Sequence, residues 1–159
     1  MSIVLITGMS GVGKSTLLAE LSRRGERTVD TDTAGLVLER FNSVGQVVDH
    51  LWDEAALAKL VAANGDQILF LAGCVSNQGR FYRHFSSVVL LSLAPDVLLD
   101  RISSRTTNSH GKDSAERTAI LADLELVEPL LRATATIELD GTLPVSVLAD
   151  RVQSLAEPR

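Results

Sequence analysis

A glycine-rich segment near the beginning of the chain has the residue types and spacing of a polyphosphate-binding loop. Residues 8–15 read Gly-Met-Ser-Gly-Val-Gly-Lys-Ser and fit the pattern G-x-x-x-x-G-K-[ST]. Glycines let the backbone wrap closely round a polyphosphate with its N–H groups turned inward, and the start of the following helix adds positive potential. In this pattern Lys14 reaches the β- and γ-phosphates, the Ser15 hydroxyl ligates Mg²⁺, and Thr16 donates a hydrogen bond to the α-phosphate. The predicted nucleotide-binding residues of the loop are therefore Gly8, Gly11, Val12, Gly13, Lys14, Ser15 and Thr16.

Short apolar runs alternate with longer helical patterns along the whole chain, which predicts βαβ units. Strands are predicted at 3–7, 27–29, 68–72, 88–92 and 136–139, and helices at 14–24, 54–63, 94–105, from about 113 towards 131, and at 144–155. Segment 33–40 fits a helix, whereas 42–50 fits no single pattern. The phosphate-binding loop thus lies between a buried strand and a helix, as its chemistry requires. We predict an α/β fold with a five-stranded parallel sheet and helices on both faces, folded as one domain over residues 1–159.

The composition excludes several classes of protein. The chain has 159 residues, of which 45% are hydrophobic and 4% aromatic, and its formal net charge is −5. The apolar content excludes a disordered polypeptide, and the acidic balance argues against a broad basic surface for nucleic acid. A single cysteine, Cys74, excludes an internal disulfide framework and a cysteine-rich zinc site. No apolar run approaches the length of a membrane span, and the start of the chain lacks the basic segment of a signal peptide. We therefore expect a cytoplasmic protein that binds neither nucleic acid nor membrane.

The phosphate-binding loop alone does not separate kinases from GTPases and motor ATPases. Residues 32–35, Asp-Thr-Ala-Gly, match the D-x-x-G segment of a GTPase, but they follow the second strand, which is too early for that role. No N-K-x-D segment appears later to read guanine. A motor ATPase normally needs a longer chain and an acidic residue that closes another core strand, yet the third predicted strand runs into Gly73 without one. A small kinase fits these observations better.

Four segments, in order, resemble the group of small kinases that includes shikimate kinase, gluconate kinase and adenylate kinase. These segments are the phosphate-binding loop, the Val-Asp-Thr-Asp of 29–32, the arginines after the fourth strand, and the Ala-Thr-Ile-Glu-Leu-Asp of 135–140. The resemblance covers nearly the whole chain and is strongest to the shikimate kinase branch. It implies the fold predicted above, ATP and Mg²⁺ as co-substrate and cofactor, and a small-molecule acceptor. We expect a monomer or a weak homodimer.

The resemblance also implies roles for residues outside the phosphate-binding loop. Asp30 would hold a water of the Mg²⁺ shell, and Asp32, also placed at the metal, would orient the acceptor hydroxyl and take its proton; either aspartate could instead cap a helix. Arg101 and Arg105 would neutralise charge on the transferring phosphate as a lid at about 105–113 closes. Thr142 and Pro144 belong to a turn that would pass beside the adenine; the same turn is explained equally by proline at the start of a helix.

The chain departs from shikimate kinases where those proteins hold the substrate carboxylate. Val127 occupies the place of one substrate arginine, and 44–63 contains no arginine to supply the other. Shikimate itself is therefore not expected, because a carboxylate would lose its bidentate partners. Polar residues after the third strand, namely Asn77, Gln78 and Arg80, could contact the acceptor instead, or could belong to an ordinary surface loop.

We predict an Mg-ATP-dependent kinase that phosphorylates a hydroxyl of a small molecule. A nucleoside monophosphate kinase is an alternative, for which Arg40, Arg80 and Arg83 are the arginines available on the acceptor side. A second alternative is a nucleotide-binding regulator that hydrolyses ATP when it meets a partner.

Overall fold

The computed structural model describes residues 2–104 and 114–156, apart from the side chains of Ser114 and Glu116. Its strands are β1 (Ser2–Thr7), β2 (Thr28–Asp30), β3 (Val37–Phe41), β4 (Val47–Trp52), β5 (Ile68–Ala72), β6 (Ser87–Ser92) and β7 (Ile137–Asp140). Its helices are α1 (Lys14–Arg23), α2 (Glu54–Asn64), α3 (Pro95–Ser103), α4 (Ser114–Thr134) and α5 (Val145–Ala156), and a 3₁₀ helix spans Gln78–His84. Within these ranges no helix is apolar over enough residues to cross a membrane.

Five strands form one parallel sheet in the order β2–β5–β1–β6–β7. The central strand β1 is buried on both faces, as is typical of a parallel sheet covered by helices. Val4 and Ile6 pack in a core with α1, α3, α4 and α5, whereas Ile3 and Leu5 pack in a second core with α2 and the 3₁₀ helix. The predicted five-stranded α/β sheet with helices on both faces is confirmed.

The prediction of a helix at 33–40 is wrong. β3 and β4 form an antiparallel hairpin in this part of the chain, separate from the main sheet. Its turn is closed by Asn42, whose side-chain oxygen accepts the N–H groups of Val44 and Gln46 (both 3.0 Å), and by Gly45 at φ 81°. An asparagine that bonds the backbone two residues on, with a glycine at positive φ, stabilises a turn rather than a helix.

The hairpin is fixed to the main body through Trp52 at the end of β4. This side chain is 1% exposed, and its ring meets Phe81 and Phe85 edge-on at centroid distances of 5.8 and 6.2 Å. Asn77 pairs with the backbone of the same residue, because its side chain accepts from Trp52 N (2.9 Å) and donates to Trp52 O (3.1 Å). The hairpin therefore stands at the carboxyl end of the parallel strands, where the phosphate-binding loop also lies.

Candidate active site

A cleft of about 930 Å³ opens at the carboxyl ends of the parallel strands. Open α/β sheets generally bind their ligands at this edge. The cleft is lined by the phosphate-binding loop and the first turn of α1, by Asp32, by residues 48–50 of β4, by segment 74–76, by Arg101 and by one face of α4. The sequence-predicted loop and the predicted base Asp32 therefore share one site.

The phosphate-binding loop depends on backbone conformations that favour glycine. Gly8, Gly11 and Gly13 have φ values of 147°, 95° and 106°. A side chain at Gly8 would also collide with the main sheet, since a Cβ there would lie 2.4 Å from the carbonyl oxygen of Leu91. The N–H groups of a helix's first turn have no carbonyl within the helix to bond, and the first turn of α1 contains no acidic side chain to occupy them. This end of α1 is suited to an anion supplied from outside.

Lys14 is held at the mouth of this loop. Its ammonium group donates hydrogen bonds to the carbonyl oxygens of Gly8 and Met9, the latter at 3.0 Å. Both acceptors belong to the loop itself, so the charge of Lys14 stays beside the N–H groups of the first turn of α1. A lysine so placed carries its charge to the β- and γ-phosphates of a nucleotide that occupies the loop.

Ser15, which lines the cleft, is hydrogen-bonded to Asp30. The Ser15 hydroxyl donates to Asp30 Oδ2 at 3.2 Å, although the two residues come from α1 and β2. The other carboxylate oxygen of Asp30 accepts the N–H of Asp32 at 3.0 Å, which fixes the turn after β2. In the described part of the chain no helix directly follows Asp30, so this aspartate orders a turn rather than capping a helix, and its second carboxylate oxygen faces Ser15. Two hard oxygen donors side by side fit Mg²⁺, which prefers oxygen ligands.

Arg101 connects two loops at the rim of the cleft. Its guanidinium group donates to the carbonyl oxygens of Val12 (3.5 Å) and Gly141 (3.0 Å), and it lies beside Gly13, where a Cβ would be 3.8 Å away. The positive charge is therefore held next to the phosphate-binding loop by backbone acceptors. Arg105 and the predicted lid at 105–113 lie outside the described residues.

The predicted adenine turn after β7 packs against the phosphate-binding loop. Asp140 Oδ1 accepts hydrogen bonds from the N–H and the hydroxyl of Thr142 at 2.8 and 2.7 Å. These bonds, first that of the side chain and then that of the backbone, lower the pKa of the Asp140 carboxyl, and the charge of Arg101 lowers it further. Thr142 and Pro144 do not line the cleft, whereas Gly141 between β7 and α5 bonds Arg101.

The structure does not bring Asn77, Gln78 and Arg80 to the cleft. Asn77 bonds the backbone of Trp52, and Arg80 forms an exposed ion pair with Glu54 at 3.1 Å. Gln78 is 3% exposed and uses its amide on three partners: it donates to Thr7 Oγ1 (3.1 Å) and Tyr82 Oη (2.8 Å) and accepts from Val75 N (2.9 Å). Asn77 thus attaches the hairpin to the segment after β5, and Gln78 attaches that segment to the end of β1.

Several residues that the sequence did not single out line the cleft instead. Asp49 and His50 come from β4, Ser76 from the segment after β5, and Asp123 from α4. Asp49 Oδ2 accepts from Arg40 (2.8 Å) and from the Ser76 hydroxyl (2.9 Å). On α4, Asp123, Val127 and Leu131 line the cleft at a spacing of four residues, which is the one signal in the sequence that could have identified this face.

Comparisons with known proteins agree with this fold. A family model described as "AAA domain" matches residues 4–122, well over half of the chain. Curated protein sequences give no significant match. Among solved structures, a shikimate kinase from Bacteroides thetaiotaomicron is 18% identical, with a TM-score of 0.63 over 97% of each chain. A gluconokinase from Sinorhizobium meliloti is 16% identical, with a TM-score of 0.62 over 98% of this chain and 91% of that one. A sugar kinase from Janibacter is 22% identical, with a TM-score of 0.57 over 98% and 94%.

Identities of 16–22% establish a shared fold and not a shared reaction. The neighbours are the small-molecule kinases that the sequence resembles, and they align over nearly the whole chain. The chain belongs to the AAA domain family matched over residues 4–122 and has the P-loop kinase fold.

Proposed function

We propose that this protein transfers the γ-phosphoryl group of ATP to a hydroxyl of a small molecule in an Mg²⁺-dependent reaction. The observation that carries the proposal is the hydrogen bond between Ser15 and Asp30. This bond brings the end of the phosphate-binding loop next to the end of β2. Asp32, two residues further on, lines the same cleft as Lys14. A phosphate-binding loop, an oxygen-rich metal position and a carboxylate for the acceptor are the parts that phosphoryl transfer to a hydroxyl requires.

The nucleotide phosphates would lie against the N–H groups of the phosphate-binding loop and of the first turn of α1. Lys14 would contact the β- and γ-phosphates, and Arg101 would place a second positive charge near them, held by the carbonyl oxygens of Val12 and Gly141. Charge that spreads over the phosphoryl oxygens in the transition state is stabilised by such fixed cations. Arg105, which lies outside the described residues, is proposed to add to this charge from the lid.

Ser15 and Asp30 would hold the metal, Ser15 directly and Asp30 through a water of its shell, with Asp32 next to it. When bound, Mg²⁺ would neutralise the negative charge that develops on the phosphates during transfer. The two oxygens already lie 3.2 Å apart in this structure, so they need little movement to face one ion. The turn between Asp30 and Asp32 keeps the second carboxylate on the same side.

Asp32 would act on the acceptor. In the proposed step the acceptor oxygen forms a bond to the γ-phosphorus, the bond from the γ-phosphorus to its bridging oxygen breaks, and ADP leaves with that electron pair. The hydroxyl proton passes to Asp32. A positioned base of this kind contributes about 10²–10⁴-fold to a rate.

The alternative of a nucleoside monophosphate kinase requires arginines on the acceptor side of the cleft. Arg40, Arg80 and Arg83 do not line it. Arg40 is paired with Asp49 and Arg80 with Glu54, and Arg83 donates to the neighbouring His84. Within residues 2–104 and 114–156, a phosphate acceptor would therefore lack the guanidinium partners that usually hold it.

ADP release from Mg-ATP, measured against a panel of acceptors, tests the proposal. One half of the panel contains polyols, sugars, nucleosides and amino sugars, and the other half contains nucleoside monophosphates. We expect stimulation by hydroxyl compounds, a rate at least 100-fold lower in Asp32→Asn, and nearly unchanged ATP affinity in that variant. Asp100→Asn is the matched control, because Asp100 is exposed and does not line the cleft. Stimulation by monophosphates alone, or equal rates in wild type and Asp32→Asn, would contradict it.

A further inference from the structure

We infer that the acceptor carries a protonated amine beside its hydroxyl groups and has no anionic group, as an amino sugar or an aminocyclitol does. This inference rests on the proposed function, because it assigns the substrate class of the same cleft. Under the proposed function, the acceptor lies between the phosphate-binding loop and Asp32. The charges of the side chains around that position determine which charge the acceptor can carry.

The cationic and the acidic side chains of the cleft come from different segments of the chain. Among the described residues that line it, Lys14 and Arg101 are the lysine and arginine, and both contact the phosphate-binding loop. Three carboxylates line the rest of it, namely Asp32, Asp49 and Asp123. They come from the turn after β2, from β4 and from α4, so three separate segments face the acceptor with negative charge.

The three carboxylates are not equivalent. Asp49 is offset by Arg40 at 2.8 Å and bonded by Ser76, so its charge is largely satisfied. Asp32 is committed to the reacting hydroxyl under the proposed function. Asp123 is exposed, and within residues 2–104 and 114–156 its side chain has no hydrogen bond or ion pair. It is therefore the carboxylate with capacity to bind a cation.

The other cleft residue that can carry positive charge is His50 on β4. Its imidazole lies 3.8 Å from Glu39 on the neighbouring strand and is 57% exposed. A positive charge on His50 would face the carboxylate of Glu39, so this histidine is not a cation reserved for the acceptor.

An anionic acceptor would face the carboxylates of the cleft without an arginine of its own among the described residues. Carboxylates and phosphates are usually held by bidentate arginine, and none of the described arginines except Arg101 reaches the cleft. Arg101 is oriented by two backbone carbonyls beside the phosphate-binding loop. An ammonium group, by contrast, can pair with Asp123 while the hydroxyl of the same molecule faces Asp32. Val127 and Leu131, one and two turns from Asp123 on the same face of α4, supply an apolar wall for the carbon skeleton.

Matched triads of acceptors test the inference: an amino sugar, the parent sugar, and the corresponding uronic acid. Binding is measured by calorimetry in the presence of Mg-ADP, and phosphorylation is measured separately with labelled ATP. We expect the amine of a triad to bind at least tenfold more tightly than the acid, with the neutral sugar between them. The preference should decrease as salt is raised, because added ions screen an exposed pair.

Asp123→Lys should abolish the preference for the amine, and Asp123→Asn should reduce it. Glu125→Lys changes the net charge of the protein by the same amount from an exposed position that does not line the cleft, and it should leave the preference unchanged. Equal or tighter binding of the acid, failure of every amine to bind, or a preference that Asp123→Lys does not alter would overturn the inference.

The two readouts separate this inference from the proposed function. Phosphorylation of the acid in preference to the amine would overturn the inference and leave the kinase proposal standing. Binding of the amine that depends on Asp123, without transfer of phosphate, would support the inference and contradict the kinase proposal. Phosphorylation of nucleoside monophosphates alone would contradict both.

Discussion

Replacement of Gly73 by alanine places a methyl group where the structure has no room for one. A Cβ at this position, directly after β5, would lie 2.4 Å from Thr31 Oγ1 and 3.2 Å from two ring atoms of Trp52. Neither neighbour can yield easily, because Trp52 is buried and Thr31 is 0% exposed. Thr31 Oγ1 also donates to the carbonyl oxygen of Ala72 at 2.9 Å, so its displacement breaks a buried hydrogen bond.

The expected cost follows from these contacts. Overpacking a core typically costs about 1–3 kcal/mol, and a lost hydrogen bond adds about 0.5–1.5 kcal/mol. We therefore expect Gly73→Ala to lower the free energy of unfolding by about 2–4 kcal/mol. For a domain of this size that corresponds to a decrease of the melting temperature of about 4–16 °C. Thr31 stands between Asp30 and Asp32. We therefore expect Gly73→Ala to lower the rate of phosphoryl transfer even at temperatures well below the melting temperature, where the protein is folded.

A double-mutant cycle tests whether this cost arises from the contact between residue 73 and Thr31. Thr31→Ala removes the atom that the new methyl group would strike, while Ala72 O retains the N–H of Thr31 at 3.0 Å. In that background Gly73→Ala should cost at least 1 kcal/mol less, to order of magnitude, because interacting sites do not add. Gly79→Ala is the control, since a Cβ there has nothing within 4 Å. Simple additivity in thermal and urea unfolding, or no destabilisation by Gly73→Ala, would refute the reasoning.

Three further predictions concern the metal, a buried amide and acid stability. Ser15→Ala and Asp30→Asn should each raise the Mg²⁺ concentration for half-maximal velocity about 10–100-fold, and the double variant should be little worse than either single variant; strictly multiplicative effects would contradict a shared ion. Gln78→Ala should leave Val75 N unbonded and lower the free energy of unfolding by about 1–3 kcal/mol, with acceptor KM unchanged at lower temperature; a changed KM in a stable protein would return Gln78 to the substrate. The pKa of Glu20 is lowered from 4.5 to about 2 by hydrogen bonds from two arginines. The ionised carboxylate therefore stabilises the folded protein fully above pH 4.5, and this contribution is lost as the pH falls towards 2. Glu20→Gln should therefore flatten the decrease of stability between pH 4.5 and 2 in acid unfolding, and an unchanged slope would contradict this assignment.

The phosphate-binding end of the site could be predicted because its chemistry is local. The conformations of Gly8 and Gly13 and the position of Lys14 are all set within one short segment, so the spacing of residue types carries the geometry. The strands were predictable for the same reason, since a run such as 68–72 is apolar throughout and is buried on both faces. The bond between Ser15 and Asp30 then follows from placing β1 and β2 in one parallel sheet with one intervening strand.

The acceptor end could not be predicted because it is assembled from distant segments. The hairpin of β3 and β4 is held by Trp52, which packs on Phe81 and Phe85, about thirty residues away in the chain. No local pattern reports such a contact, and 33–40 alone fits a helix. Asn77 and Gln78 are polar residues whether or not they face a substrate, so the sequence does not distinguish the two cases. In the structure Asn77 bonds the backbone of Trp52, and Gln78 bonds Thr7 in the buried interior. Tertiary contacts determine both the hairpin of β3 and β4 and the positions of Asn77 and Gln78.

The phosphorus products of one reaction test the central claim most directly. The protein is incubated with Mg-ATP and the mixture of hydroxyl compounds and nucleoside monophosphates, and the products are followed by ³¹P NMR with Lys14→Ala as the control. Transfer to a hydroxyl predicts ADP and a new phosphomonoester resonance in equal amounts, both lost in the control. A new diphosphate of a monophosphate acceptor would indicate a nucleoside monophosphate kinase, and inorganic phosphate alone would indicate an ATPase. Either of these results would contradict the account.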